Sequence, residues 1–153
     1  MGVILRFSGS NNLAALAVKL YTWSWCSHVE TVIDTDFYGK QLYGALPTTG
    51  VNFRPISSTI DDYVEEYEVD IPQFSKHIYI EKLLSQRGKP YDWSALFGMV
   101  IHRDWGTDYS AWFCSEIVAW GFAEAGYPLL RTEHKNRITP ENLLLSPLLK
   151  RVS

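Results

Sequence analysis

Cysteine is scarce in this sequence, with Cys26 and Cys114 as the only two among 153 residues. Two thiols are too few for a disulfide framework or a four-thiolate zinc site, and neither Cys-x-x-Cys nor His-Glu-x-x-His occurs. The sequence therefore predicts no bound metal and no other cofactor. One bridge between the two cysteines is a disfavoured alternative, because the start of the chain indicates a reducing compartment.

Long apolar runs are also absent. Residues 1–7 lack a basic region followed by a long apolar stretch, so we expect no secretory signal. No run approaches the roughly 18 apolar residues that a membrane-spanning helix needs, so we expect no stable membrane insertion. The expected protein is soluble and cytoplasmic as synthesised. Delivery by a phage particle, by lysis or by a secretion system would leave no trace in the sequence.

Clusters of positive charge are lacking as well. The chain has 14 Lys and Arg residues against 17 Asp and Glu, a formal charge of −3 and an isoelectric point near 5.8. Nucleic-acid binding depends on concentrated Lys and Arg that meet the phosphates, and no segment supplies them. Nucleic acid is therefore not an expected partner, and no oligomeric state follows from the sequence.

Apolar and aromatic residues are abundant instead. The chain is 46% apolar and 20% charged, and at this length it can bury one sizeable core. Residues 1–153 are therefore predicted to form a single domain. Aromatic residues make up 14%, with six tryptophans and nine tyrosines. Most of these rings are expected to fill the core, while the excess favours a cleft partly walled by aromatic side chains.

The apolar pattern predicts strands in the first half of the chain and helices in the second. Runs rich in β-branched residues, bounded by turn formers, predict strands at 3–7, 26–33, 41–46, 50–54 and 63–71. Helical spacing with capping signals predicts helices at 13–21, 74–88, 93–101 and 114–125, a loop at 102–110, and a short helix after Thr139. The predicted fold class is α+β, an antiparallel meander packed against helices that precede and follow it.

Cys114 is predicted at the start of the best-signalled helix. Partial positive charge and unpaired backbone N–H groups at a helix N-terminus stabilise a thiolate and can bind the oxyanion of a tetrahedral intermediate. Cys114 is thus a candidate nucleophile. The alternative is a cysteine that only packs, because free cysteine is among the most buried residue types.

His28 is the histidine predicted to lie on a strand, whereas the other three fall in a helix or in polar loops. Residues two apart on a strand point to the same face, so Cys26, His28 and Glu30 are expected on one side. Glu30 could then orient the imidazole toward a thiolate, as the third member of a catalytic triad does. A partly exposed histidine beside a surface acid is the alternative interpretation.

Three short motifs follow one another along the chain. They are Ser27-His28-Val29-Glu30, Gly88-Lys89-Pro90-Tyr91-Asp92, and Trp112-Phe113-Cys114-Ser115-Glu116 with its helix ending in Ala125-Gly126. In this order the motifs resemble the circularly permuted NlpC-type papain-like cysteine peptidases, a group that includes YiiX-like proteins and is related to lecithin retinol acyltransferase. In these proteins the histidine strand precedes the cysteine helix, which reverses the order in papain. The resemblance covers roughly residues 3–145.

The resemblance implies a papain-like fold of the permuted type, with Cys114 as nucleophile and His28 as base. Glu30 is the preferred third residue, and Gln41 is the alternative because many relatives carry a polar residue on the strand after the histidine. Tyr91 matches a tyrosine near the thiol, where its hydroxyl could contact substrate or oxyanion. Ser115 is expected to contribute its backbone N–H.

The leading expectation is a cysteine hydrolase that cleaves an amide bond through a Cys114 acyl-enzyme. The resemblance implies a peptidoglycan stem peptide or another small peptide as substrate, in a bacteriophage or bacterial setting. Acyl transfer, or cleavage of a thioester or lipid ester, is the second expectation, since another nucleophile can capture the same acyl-enzyme. A non-catalytic structural or assembly protein is the third.

Overall fold

The computed structural model describes residues 2–9, 18–19, 24–58, 63–94, 110–131 and 138–153. Within them the protein is a mixed α+β fold with one six-stranded antiparallel sheet in the order β4-β3-β2-β1-β5-β6. The strands are β1 Val3–Gly9, β2 His28–Thr35, β3 Gly39–Leu46, β4 Gly50–Pro55, β5 Tyr63–Val69 and β6 Leu149–Arg151. Strands β2, β3 and β4 form the predicted meander, and β1 lies between β2 and β5.

One face of the sheet forms the core. Alternate residues of β1, namely Val3, Leu5 and Phe7, are almost fully buried, as strand geometry requires when one face is covered. The covering elements are the helices α1 Gln73–Ser85 and α2 Cys114–Glu124, followed in the chain by the short α3 Pro140–Leu144.

Two buried tyrosines connect α1 to the sheet. The hydroxyls of Tyr79 and Thr31 lie 2.7 Å apart, and the Tyr43 hydroxyl donates to the Leu83 carbonyl oxygen at 2.8 Å. These bonds satisfy polar groups that would otherwise be buried without partners. They fix α1 over the centre of the sheet, and α2 packs beside it against β2 and β3.

The helix ends follow the sequence signals. Gly126 has a positive φ of 80° just after α2, the conformation that commonly ends a helix at glycine. Thr139 caps α3 with a reciprocal capping box in which Asn142 is the partner, and Pro140 is the first helical residue. The predicted capping role of Thr139 is therefore confirmed.

The structure shifts some predicted boundaries. Strand β2 begins at His28 rather than at residue 26, although Ser27 N–H already donates to the Ser8 carbonyl oxygen at 3.0 Å. Strand β6 was not predicted, since three residues carry too little pattern to identify a strand. Most of the helix predicted at 13–21, most of the helix at 93–101 and nearly all of the loop at 102–110 lie outside the described residues. In the part of the chain that is described, no helix is long and apolar enough to cross a membrane.

Candidate active site

Cys114 is the first residue of α2, with Phe113 as the N-cap residue. Phe113 caps the helix with no side-chain hydrogen bond, so the N–H groups of the first turn lack an acceptor from a capping side chain. The Cys114 side chain is 1% exposed. The sequence thus places the thiol at the positive end of a helix and in a site from which water is largely excluded.

His28, the first residue of β2, meets Cys114 at this helix end. The Cys114 side chain lies within hydrogen-bonding range of the imidazole. On its other side, His28 Nε2 lies 3.0 Å from Glu30 Oε1, in an ion pair rather than an aligned hydrogen bond. The structure therefore brings together the three residues that the sequence singled out, in the order Cys114, His28, Glu30.

Glu30 is nearly inaccessible to water, at 1% exposure, and is held by Arg54 on β4. Arg54 Nε donates to both carboxylate oxygens, at 2.8 and 2.9 Å, and Nη2 also donates to Oε1. Gly44 on β3 leaves room for this arrangement, because a Cβ atom there would lie 3.0 Å from Glu30 Cγ.

The sequence analysis missed Arg54 and Gly44. One signal was present for Arg54: a carboxylate assigned to a buried strand requires a cation beside it, and Arg54 is on the next strand but one. No sequence signal identified Gly44, because its role depends on which residue lies across from it in β2.

The neighbouring charges together have a larger effect than burial on the pKa values of His28 and Glu30. Burial works to lower the pKa of His28, but the Glu30 carboxylate and the Cys114 sulfur outweigh it and raise that pKa to about 10. Burial works to raise the pKa of Glu30, but His28 and Arg54 outweigh it and lower that pKa to about 2. The imidazolium and the carboxylate are therefore the stable forms near neutral pH.

Tyr91 lies beside the thiol on a segment held from two sides. Asp92 N–H donates to the Trp112 carbonyl oxygen at 2.9 Å, and Trp112 N–H donates to the Pro90 carbonyl oxygen at 3.1 Å. The Tyr91 ring packs 5.6 Å from the Phe113 ring. Burial, followed by the negative charge near Cys114, raises the pKa of Tyr91, so the phenol keeps its proton and can donate a hydrogen bond.

The Gly88-Lys89-Pro90 part of this motif attaches to the sheet. Val51 N–H donates to the Lys89 carbonyl oxygen at 2.9 Å, and Gly88 N–H donates to the Val51 carbonyl oxygen at 2.9 Å. Gly50 permits this contact, since a Cβ atom there would lie 2.3 Å from the Lys89 oxygen. The motif therefore acts as a spacer that holds Tyr91 between β4 and the residue before the N-cap of α2.

Ser115 and Glu116 follow Cys114 in the first turn of α2. The Ser115 hydroxyl donates to the Ile138 carbonyl oxygen at 2.5 Å, so this side chain has a structural role and its backbone N–H is what it can offer at the site. Burial, then the charge of Asp92, raises the pKa of Glu116 to about 8. Its Oε1 atom is buried and has no hydrogen-bond partner.

Gln41 does not belong to this site. Gln41 pairs with Ile33 of β2. Ile33 is five residues from His28, so at about 3.3 Å per residue the backbones of Ile33 and His28 are roughly 17 Å apart. Ile33 also points to the opposite face from His28 and Glu30. The strand register takes Gln41 to the far end of the hairpin, which favours Glu30 over Gln41 as the third residue.

Cys26 is buried close to the site but differs from Cys114 in its surroundings. Its Sγ atom donates to the His28 carbonyl oxygen at 3.5 Å, and burial strongly raises its pKa. It lies two residues before the start of β2, whereas Cys114 is the first residue of a helix. Both cysteines are free thiols.

Comparison with solved structures identifies a neighbour of this fold. The crystal structure of metalloprotein YiiX from Escherichia coli O157:H7, a protein with a domain of unknown function, superimposes with a TM-score of 0.78 at 16% sequence identity. The match covers 99% of this chain and 95% of that one. This chain has the fold of YiiX. No protein-family model matches the chain, and no curated protein matches it by sequence.

YiiX is described as a metalloprotein, which raises the question of a metal site in this chain. Among the described residues, no group of three or more His, Cys, Asp or Glu side chains is arranged to hold a metal ion. His28 and Glu30 are engaged with each other and with Arg54. The donors in the described part of the chain therefore do not fit a resident metal ion like the one that the YiiX description implies.

Proposed function

We propose that this protein is a papain-like cysteine hydrolase of the circularly permuted NlpC type that cleaves an amide bond in a small peptide. The observation that carries the proposal is the buried row of Cys114, His28 and Glu30 at the N-terminus of α2. A histidine that faces a thiol on one side and a carboxylate on the other is the arrangement that activates a nucleophilic cysteine.

In the proposed reaction the Cys114 thiolate attacks the substrate carbonyl carbon, and the carbonyl oxygen gains the negative charge. The N–H groups of the first turn of α2 stabilise that oxyanion, together with the Tyr91 hydroxyl as a neutral donor. His28 transfers its proton to the leaving nitrogen as the C–N bond breaks, which leaves an acyl-enzyme and a free amine.

Water completes the cycle. His28, now neutral, accepts a proton from a water molecule that attacks the thioester carbon. The C–S bond breaks, the acid product leaves, and Cys114 and His28 return to the thiolate and imidazolium forms. Glu30 stays ionised throughout and orients the ring. Because Cys114 is almost fully buried, the side chains that cover the thiol have to move apart to admit a substrate or a small reagent.

Peptidoglycan stem peptides are the first substrates to test, in keeping with a bacterial or bacteriophage source. We expect the wild-type protein to convert defined muropeptides into products separated by hydrolysis of one amide bond, as followed by mass spectrometry. Cys114→Ser should remove this turnover, because the hydroxyl is a far weaker nucleophile at neutral pH. Cys26→Ser is the matched control and should keep it.

The same assay with acyl-thioesters and lipid esters distinguishes the alternatives. Turnover confined to those substrates would replace the peptidase assignment with an acyl-transfer or esterase function at the same cysteine. Absence of turnover on all three classes, with equal results for wild type and Cys114→Ser, would favour a non-catalytic role.

A further inference from the structure

We infer that Arg54 is a positioning residue that sets the charge state of the site by acting through Glu30. The inference rests on the proposed function and deepens it, since it concerns how the imidazole beside the same thiol is oriented and kept charged. Arg54 meets the site at Glu30, whose carboxylate oxygen lies 3.0 Å from the imidazole of His28.

The contact between Arg54 and Glu30 has the geometry of a fixed pair. Two donors of one planar guanidinium meet the carboxylate, and Nη1 of the same group donates to the Ser58 carbonyl oxygen at 2.9 Å. A fork-shaped contact of this kind fixes the plane of the carboxylate as well as its position. It holds Oε1 3.0 Å from the Nε2 atom of His28 and restricts rotation of the carboxylate away from the ring.

The positive charge of Arg54 also balances the net charge of the buried site. In the reactive form the thiolate, the imidazolium, the carboxylate and the guanidinium alternate in sign, and these four charges sum to zero. Glu30 and Cys114 are each 1% exposed, and the side chains of His28 and Arg54 are 15% and 12% exposed, so water screens them weakly. Without the guanidinium, the other three groups carry a net charge of −1 in a buried site.

A buried excess of negative charge is relieved most simply by a proton. Arg54 is one of the two groups that hold the pKa of Glu30 down to about 2, so its removal raises that pKa, and a protonated Glu30 no longer supports the imidazolium beside Cys114. Removal of Arg54 should therefore require a higher pH to reach the reactive form. A merely structural arginine would change stability and leave the pH profile in place.

Other charged groups face this row from the elements packed around it. Arg6 on β1 is the cross-strand neighbour of Glu30, but its side chain pairs with Glu66 through Nε at 2.9 Å and through Nη2 at 2.6 Å. Asp92 and Glu116 lie near the thiol end, beside Tyr91. Arg6 is thus an arginine in a carboxylate pair on the same face of the sheet, and it provides a matched control.

The test measures the rate of Cys114 alkylation by iodoacetamide from pH 4 to pH 9, with the modified cysteine identified by peptide mapping. For Arg54→Met we expect the midpoint of the rate profile to move up by at least about one pH unit, which lowers the rate about tenfold at pH values well below the wild-type midpoint. Arg54→Lys keeps the charge without the fork and should recover part of the shift. Arg6→Met should give the wild-type profile even if it lowers stability.

The outcomes separate this inference from the function on which it rests. If wild-type Cys114 is not labelled faster than Cys26 at acid pH, the proposed function fails first. If it is, and Arg54→Met superimposes on wild type, the role of Arg54 is wrong while the cysteine site stands. Should Arg54→Met not fold, as judged by circular dichroism, Arg54→Lys decides. A profile for that variant identical to wild type, with the His28 ring resonances also unchanged over the same pH range, would overturn the inference.

Discussion

Glu30 is a carboxylate with almost no access to water, and its neighbours determine whether it can remain charged. Leaving one partner of such a buried pair alone costs about 3–5 kcal/mol, whereas a complete pair contributes little net stability. Arg54 and His28 together supply the compensation. The pair is therefore better explained by what it does to His28 than by its contribution to folding.

The pKa shifts of His28 and Glu30 predict a pH window for their stabilisation. The folded-state pKa of His28 is raised from 6.5 to about 10, so its contribution is complete below pH 6.5 and is lost as the pH rises toward 10. The pKa of Glu30 is lowered from 4.5 to about 2, so its contribution is complete above pH 4.5 and is lost as the pH falls toward 2. Both are complete between pH 4.5 and 6.5.

Urea unfolding of wild type and His28→Gln, followed by tryptophan fluorescence, measures this window. The difference in the free energy of unfolding should be largest near pH 5.5 and clearly smaller at pH 9.5. His77→Gln is the control, because His77 lies mid-way along α1 and outside the site. A difference for His28→Gln that is the same at both pH values would contradict the charged pairing.

The sequence predicts a site residue only where the position of that residue follows from a single helix or strand. Cys114 followed from a helix start and His28 and Glu30 from the alternation of one strand, and these three do meet. Gln41 was misplaced because strand register is a non-local property. Arg54 was missed for the same reason, since its contact with Glu30 crosses the intervening strand β3.

Short turns connect the elements that carry the site, and Gly50 is the most constrained position in them. It has a φ of 69° and lies against the Lys89 backbone, whose segment carries Tyr91 toward Cys114. Gly39 has a similar φ of 65° at the preceding turn, but a Cβ atom there would have no neighbour within 4 Å. Both glycines have a left-handed backbone conformation, but only Gly50 lies against another segment of the chain.

Alanine at these two positions gives a matched prediction. Gly39→Ala should cost only the left-handed conformation, about 1–2 kcal/mol. Gly50→Ala should cost more and, by displacing the Lys89 segment, should also slow the reaction of Cys114. Thermal unfolding measures the first effect and iodoacetamide labelling the second. Equal losses of stability for the two variants, with labelling unchanged, would contradict the role given to this turn.

The apolar pattern of the sequence predicts most of the described strands and helices, but it predicts their first and last residues less well. Strands β1 to β5 and helices α1 and α2 occur where apolar spacing and capping residues indicated them. The start of β2 moved to His28, since Cys26 and Ser27 continue the strand direction without full pairing. Strand β6 needed knowledge of the β5 edge, where Leu149 pairs with Val69.

The arrangement of the sheet brings distant parts of the chain together. Strand β1, from the start of the chain, occupies an interior position between β2 and β5, and β6, from its end, forms one edge. Local propensity does not specify such an order, because each pairing depends on contacts far apart in sequence. The match to YiiX at 16% identity shows that a largely different sequence adopts the same fold.

The packing of α2 against β2 and β3 produces the meeting of Cys114 and His28. The proposals above require that His28 activates the Cys114 thiol and does not only lie beside it. Alkylation by iodoacetamide at pH 6 tests it directly, with Cys26 as an internal reference in the same molecule. We expect Cys114 to be labelled much faster than Cys26, and His28→Ala to slow the labelling of Cys114 by at least about tenfold. Equal slow labelling of both cysteines, unaffected by His28→Ala, would contradict it.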